Sequence, residues 1–100
     1  DVCASDLKRA FIINTARGGI VDEEALHNNL INGHLGGAAL DVTEQEPIWE
    51  SSLLKLSNVI ITSHIASYSK ESINAVSMAC AKNVIKMFNG EQPDNIVNQY

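Results

Sequence analysis

Three strand-length runs of nearly unbroken apolar residues constrain this chain more than any other feature: Phe11-Ile12-Ile13-Asn14, Gly37-Ala38-Ala39-Leu40-Asp41-Val42 and Val59-Ile60-Ile61-Thr62. A strand with one wet face alternates polar and apolar residues. These runs do not alternate, which suits a parallel sheet buried on both faces. Between the first two runs lies a helical segment, Asp22 to Gly33. Asp22 is placed to cap it, Glu23 and Glu24 fill the first turn where the helix dipole favours acids, Leu26, Leu30 and Ile31 fall on one face, and Gly33 ends it. The pattern is a β-α-β unit.

From Thr43 to Ser57 the chain is irregular, with Glu44, Glu46, Pro47 and Trp49, and a short helix is expected around Ser52 to Leu56. Ser69 then reads as the N-cap of a long helix whose Ile73, Val76, Ala79/Cys80, Val84 and Met87/Phe88 form a stripe, stopped by Asn89-Gly90. The tail from Glu91 to Tyr100 holds Pro93 and no periodicity, and is expected to pack on another segment or to fray. Strand, helix, strand, connection, strand, helix makes half of a doubly wound α/β fold.

At 100 residues, 45% hydrophobic and 19% charged, the composition is globular, and one domain or part of one is expected. The net charge of −5 and the lack of a Lys/Arg cluster argue against nucleic acid or an anionic membrane surface as partner, because holding phosphates needs a concentrated positive face. No apolar run is long enough to span a bilayer, and Asp1-Val2-Cys3-Ala4-Ser5-Asp6 lacks the order of a signal peptide. Cys3 and Cys80 stand in no C-x-x-C pattern and read as reduced thiols. A cytoplasmic protein acting on small metabolites is the expectation.

Ligands of such sheets bind outside the carboxyl ends of the strands. Those ends carry Asn14-Thr15-Ala16-Arg17-Gly18-Gly19, Asp41-Val42-Thr43-Glu44-Gln45-Glu46-Pro47 and Thr62-Ser63-His64-Ile65-Ala66-Ser67. A guanidinium, a carboxylate from Asp41, Glu44 or Glu46, and an imidazole would meet in one crevice. The guanidinium's fork of donors suits a substrate carboxylate and a neighbouring carbonyl. The imidazole can exchange a proton with a hydroxyl or carbonyl oxygen, and a carboxylate bonded to it would orient it and favour its protonated form. Each residue also has a plainer reading. Arg17 could pair with Asp22 or Glu24, His64 could be a structural histidine, and Glu44 and Glu46 could form a solvated loop.

The segment Ile13-Asn14-Thr15-Ala16-Arg17-Gly18-Gly19-Ile20-Val21-Asp22-Glu23-Glu24-Ala25-Leu26 resembles the I-N-x-x-R-G-x-x-V-D-x-x-A-L signature of the D-isomer-specific 2-hydroxyacid dehydrogenases. Gly36-Gly37-Ala38-Ala39-Leu40-Asp41-Val42 with Glu46-Pro47 is similar to the family's G-A-x-x-D-V-x-x-x-E-P, and Asn58-Val59-Ile60-Ile61-Thr62-Ser63-His64-Ile65-Ala66 to its N-V-x-x-T-P-H-I. The resemblance implies a partial Rossmann-like doubly wound parallel sheet, the second half of an NAD-binding domain over residues 1–90. Residues 91–100 would lead back toward a substrate domain. It implies an oxidoreductase interconverting a D-2-hydroxy acid and a 2-oxo acid with NAD, as a homodimer and without a metal. By position, Arg17 would bind the substrate carboxylate and carbonyl, His64 would be the general acid/base, and Glu46 would hold His64. Thr15, Ala16, Arg17, Asp41, His64, Ile65, Ala66 and Ser67 would line the nicotinamide half of the cofactor site, while Glu44 falls back to a solvated loop.

Two departures matter. Ser63 replaces the proline usual before the histidine, which loosens the local backbone. Ala66-Ser67-Tyr68-Ser69 differs from the Gly-Gly-Ser of the phosphoglycerate dehydrogenases. The chain also has no G-x-G-x-x-G loop, so it is expected to be part of a protein of roughly 300 residues or more and not to hold the cofactor pyrophosphate by itself. The isolated segment is expected to be inactive and to self-associate or pair with a missing segment through its apolar strand edge and helix faces. A non-catalytic, dinucleotide-sensing relative of the corepressor kind is the alternative function.

Overall fold

The computed structural model describes residues 8–98; Cys3, the first residues and the last two of the tail lie outside the described residues. The described chain divides into two compact units between Ala66 and Ser67.

The first unit is a three-stranded parallel sheet in the order β1 (Ala10–Asn14), β2 (Leu35–Leu40), β3 (Val59–Ile61). Helix α1 (Glu23–Ile31) joins β1 to β2, and a loop with a 3-10 turn at Ser52–Lys55 joins β2 to β3. The β-α-β reading therefore holds, with β2 lying two residues earlier than the apolar run suggested. Its register begins where Leu35 pairs with Ala10. At its other end Asp41 and Val42 remain buried but leave the ladder to start the loop that carries Glu46. Gly37 permits the close packing within the sheet, since a Cβ there would come within 2.9 Å of the Asn58 carbonyl oxygen and of the Phe11 ring.

Asp22 caps α1 by accepting the Ala25 N–H at 2.9 Å. Leu26 and Leu30 then pack with Leu35, Ala38, Leu40 and Leu53 into the core. Ile31, expected on the same face, is exposed instead; it is the last helical residue, and the inward positions are already filled by the i, i+4 pair Leu26 and Leu30. Within this unit the two faces of the sheet differ. Ala10, Ile12, Val59 and Ile61 pack against the core, while Phe11, Ile13 and Ile60, which point the other way, are exposed.

The second unit contains α2 (Lys70–Phe88). Ser69 caps it by accepting the Ser72 N–H at 3.1 Å, and Asn89 and Gly90, the latter at φ 74°, close it. The stripe along α2 is exposed, with no residue of the helix buried. Instead of fraying, the tail turns back on α2. The Asn83 side chain accepts the Asp94 N–H at 2.9 Å and donates to the Asp94 carbonyl at 3.3 Å, and Lys86 pairs with the Asp94 carboxylate at 2.6 Å. Among the described residues no helix is long and apolar enough to cross a membrane.

Candidate active site at the carboxyl ends of the strands

β1 ends in Asn14, 6% exposed, and its amide shapes the loop that follows. Its Oδ1 accepts the Ala16 N–H at 3.1 Å, its Nδ2 donates to the Arg17 carbonyl at 2.8 Å, and its own carbonyl accepts the Asp41 N–H at 2.9 Å. Arg17 therefore leaves the sheet from a pinned turn. Its guanidinium is exposed, donates to the Ala16 carbonyl at 2.7 Å and forms no ion pair among the described residues, which removes the pairing with Asp22 or Glu24. Gly18 lets this loop sit against the next one. A Cβ there would overlap the Thr43 carbonyl, so the Arg17 loop and the Glu46 loop touch backbone to backbone.

β2 delivers Asp41, also 6% exposed. One carboxylate oxygen accepts the Thr62 hydroxyl at 2.5 Å and the Ile65 N–H at 2.9 Å, the other accepts the Ala66 N–H at 2.8 Å, and the Asp41 carbonyl accepts the His64 N–H at 2.9 Å. Asp41 thus grips the loop after β3 at four points around His64. His64 has φ 56°, a left-handed conformation that a non-glycine residue holds only when its surroundings fix it. The Asp41 contacts supply that fixation. The Thr62 hydroxyl first, then the Ile65 N–H, hold the Asp41 carboxyl below its ordinary range, with partial burial opposing them.

His64 Nδ1 lies 2.8 Å from Glu46 Oε2. The other Glu46 oxygen accepts the Thr43 N–H at 3.2 Å, and the Thr43 hydroxyl donates to the Gln45 carbonyl at 2.8 Å. The His64 hydrogen bond first, and the Thr43 N–H second, hold the Glu46 carboxyl below its ordinary range. Both side chains of the pair remain partly exposed, 47% for His64 and 39% for Glu46, so solvent screens their attraction and its value lies in orientation more than stability. With the carboxylate as acceptor, Nδ1 carries a proton and Nε2 is the nitrogen free to exchange one.

A carboxyl whose folded pKa lies below its unfolded value adds stability above the unfolded value, and that stability is lost as pH falls through the folded one. Both Asp41 and Glu46 are of this kind. The unfolding temperature is therefore expected to fall as pH is lowered below about 4. Asp41→Asn should unfold at a lower temperature at neutral pH and show a shallower acid drop. Scanning calorimetry across that interval checks this, and an unchanged acid slope in Asp41→Asn would count against the clamp.

Two open cavities adjoin these residues. One, of about 520 Å³, is lined by Glu46 and His64 together with Pro47, Ile48, Leu54 and Ile61. The other, of about 270 Å³, is lined mainly by apolar side chains, including Ile13, Ala39 and Ile60, with Thr15, Asp41, Ile65 and Ala66 at its edge. Of the residues singled out from sequence, the fold brings together Glu46 and His64, and Thr15 with Asp41, Ile65 and Ala66; Arg17 lines neither cavity, and Ser67 opens the second unit. Asn14, Gly18, Thr43 and Thr62 were not singled out, although Asn14 and Thr62 each stand at the polar end of an apolar run, where a buried side chain must find partners. Glu44 is exposed but not simply solvated, because it exchanges hydrogen bonds with Glu23 at the start of α1.

The order of these features along the chain has counterparts elsewhere. Residues 3–66 match the family model described as D-isomer specific 2-hydroxyacid dehydrogenase, NAD binding domain. Over 93 residues the chain is 45% identical to a glyoxylate reductase of Korarchaeum cryptofilum, an alignment covering 92% of this chain and 28% of the relative. The crystal structure of a D-isomer specific 2-hydroxyacid dehydrogenase from Xanthobacter autotrophicus in complex with NADPH and MES superposes with a TM-score of 0.77 at 37% identity, covering 91% of this chain and 37% of that one. A D-lactate dehydrogenase with NAD+ from Lactobacillus jensenii gives 0.74 at 26% identity, covering 96% and 33%. The chain thus spans between 28% and 37% of the length of these proteins. It belongs, on the family match and the parallel sheet that carries it, to the NAD-binding domain of the D-isomer specific 2-hydroxyacid dehydrogenases.

Proposed function

We propose that this chain supplies the nicotinamide end and the acid/base pair of an NAD-dependent oxidoreductase that interconverts a small D-2-hydroxy acid and its 2-oxo acid. The observation that carries the reading is the 2.8 Å contact between His64 Nδ1 and Glu46, which leaves Nε2 free beside an open cavity. The second cavity fits the nicotinamide: its apolar walls suit the ring faces, and the Thr15 hydroxyl at its edge makes no hydrogen bond among the described residues. When bound, the dinucleotide supplies or accepts the hydride. Arg17 holds the substrate carboxylate and polarises the carbonyl, His64 donates a proton to the carbonyl oxygen in reduction and takes it back in oxidation, and Glu46 keeps the imidazole oriented. Asp41 acts on the cofactor side by shaping the Ile65 and Ala66 backbone. By their positions in the motifs Ala16 and Ser67 are cofactor residues in this proposal, which also includes a tail from residue 91 leading to a substrate domain and a homodimer in the cytoplasm.

Glyoxylate is the first substrate to test, since a relative at 45% identity is named for its reduction. An enzyme carrying this chain should oxidise NADH when given glyoxylate or another short 2-oxo acid, followed by absorbance. In Glu46→Gln the imidazole loses the carboxylate that orients it, so kcat should fall while KM for NADH stays close to that of the unaltered enzyme. No turnover with any short 2-oxo acid would sink the function, and an unaltered kcat in Glu46→Gln would sink the Glu46 role.

A further inference from the structure

The loop that carries Glu46 is tied to the start of α1 by a reciprocal exchange. The Glu23 N–H donates to Glu44 Oε1 at 3.1 Å, and the Glu44 N–H donates to Glu23 Oε1 at 2.7 Å. Glu23 is the first residue of α1, so its N–H has no partner within the helix, and the Asp22 side chain is already engaged with Ala25. The preceding amide in the loop, that of Thr43, goes to Glu46 itself. Two consecutive loop amides are therefore held by carboxylates, one on the glutamate that orients His64 and one on the helix. The Glu44 carboxylate thus stands at the positive end of α1, where an anion is favoured. A purely solvated loop would have no need of the arrangement.

We infer that Glu23 and Glu44 form a latch that positions Glu46, and through it His64, for the proton transfer. The inference rests on the acid/base reading above. Neither glutamate touches His64; they are positioning residues that fix where the Glu46 carboxylate stands relative to the sheet. Glu44 is exposed, so its removal leaves the core intact.

The test is a double-variant cycle in an enzyme carrying this chain, with glyoxylate and NADH as probes. Glu44→Ala is expected to lower kcat roughly fivefold to tenfold, with KM for NADH unchanged, because a sub-ångström shift of a catalytic partner already costs rate. Glu44→Gln, whose amide oxygen can still accept the Glu23 N–H, should restore most of it. In a Glu46→Gln background, Glu44→Ala should add no further loss, since its effect is transmitted through Glu46. Losses that multiply in the double variant, or an unaffected kcat in Glu44→Ala beside an impaired Glu46→Gln, overturn the latch alone. A Glu46→Gln enzyme with unaltered kcat overturns the acid/base reading and the latch with it.

Discussion

Replacing His64 by alanine in an enzyme carrying this chain is expected to lower kcat for 2-oxo acid reduction by roughly a hundredfold to ten-thousandfold, the range supplied by a positioned general acid. The geometry sets the size and the selectivity of the effect. Glu46 occupies Nδ1, so proton exchange must run through Nε2, and no other imidazole lines either cavity. The apolar cavity at Ile13, Ala39 and Ile60 does not depend on the ring, so KM for NADH should stay close to that of the unaltered enzyme. His64 sits at φ 56°, where asparagine is better tolerated than alanine; His64→Asn therefore separates loss of the proton donor from loss of the backbone turn. Full turnover in both variants would falsify the acid/base assignment.

The second large effect is expected at Arg17. Its guanidinium has no carboxylate partner among the described residues and bonds only to the Ala16 carbonyl, so Arg17→Ala should leave the unfolding temperature nearly unchanged. A forked pair of charge-assisted hydrogen bonds to a substrate carboxylate is worth about 3 to 6 kcal/mol, which corresponds to roughly a hundredfold to ten-thousandfold in kcat/KM. Both kcat and KM should move, because the same group holds the carboxylate and polarises the carbonyl. Arg17→Lys keeps the charge without the fork and should fall between the two. Steady-state kinetics beside a thermal melt decides the matter: a destabilised protein with unaltered kcat/KM would return Arg17 to a structural role.

The two residues differ in how they are held, and the difference explains why sequence found them unequally well. His64 follows a three-residue strand and is fixed by Asp41, 23 positions earlier in the chain by their residue numbers. The motif marked both residues and assigned Asp41 to the cofactor's surroundings, but it did not reveal that every Asp41 oxygen is engaged with the loop around the histidine. Glu44 was set aside as solvated for the same reason. Its partner is Glu23, on an element that comes earlier in the chain, and nothing in local spacing announces such a bond.

Periodicity and capping chemistry alone determined the β-α-β order, Asp22 and Ser69 as helix caps and the residues standing at the carboxyl ends of the strands, because these depend on neighbours within a few positions. Family resemblance in the sequence selected Glu46 over Glu44 as the partner of His64. The tertiary structure decided what no local signal encodes. It left Ile31 outside the core, turned Ala10, Ile12, Val59 and Ile61 toward that core, packed Gly18 against Thr43, and committed Asp41 to holding the His64 turn. The Asp41 contacts follow from a buried polar group finding partners wherever the parallel sheet brings them, the others from which side chains the packed elements enclose, and the sheet joins residues that are far apart in sequence.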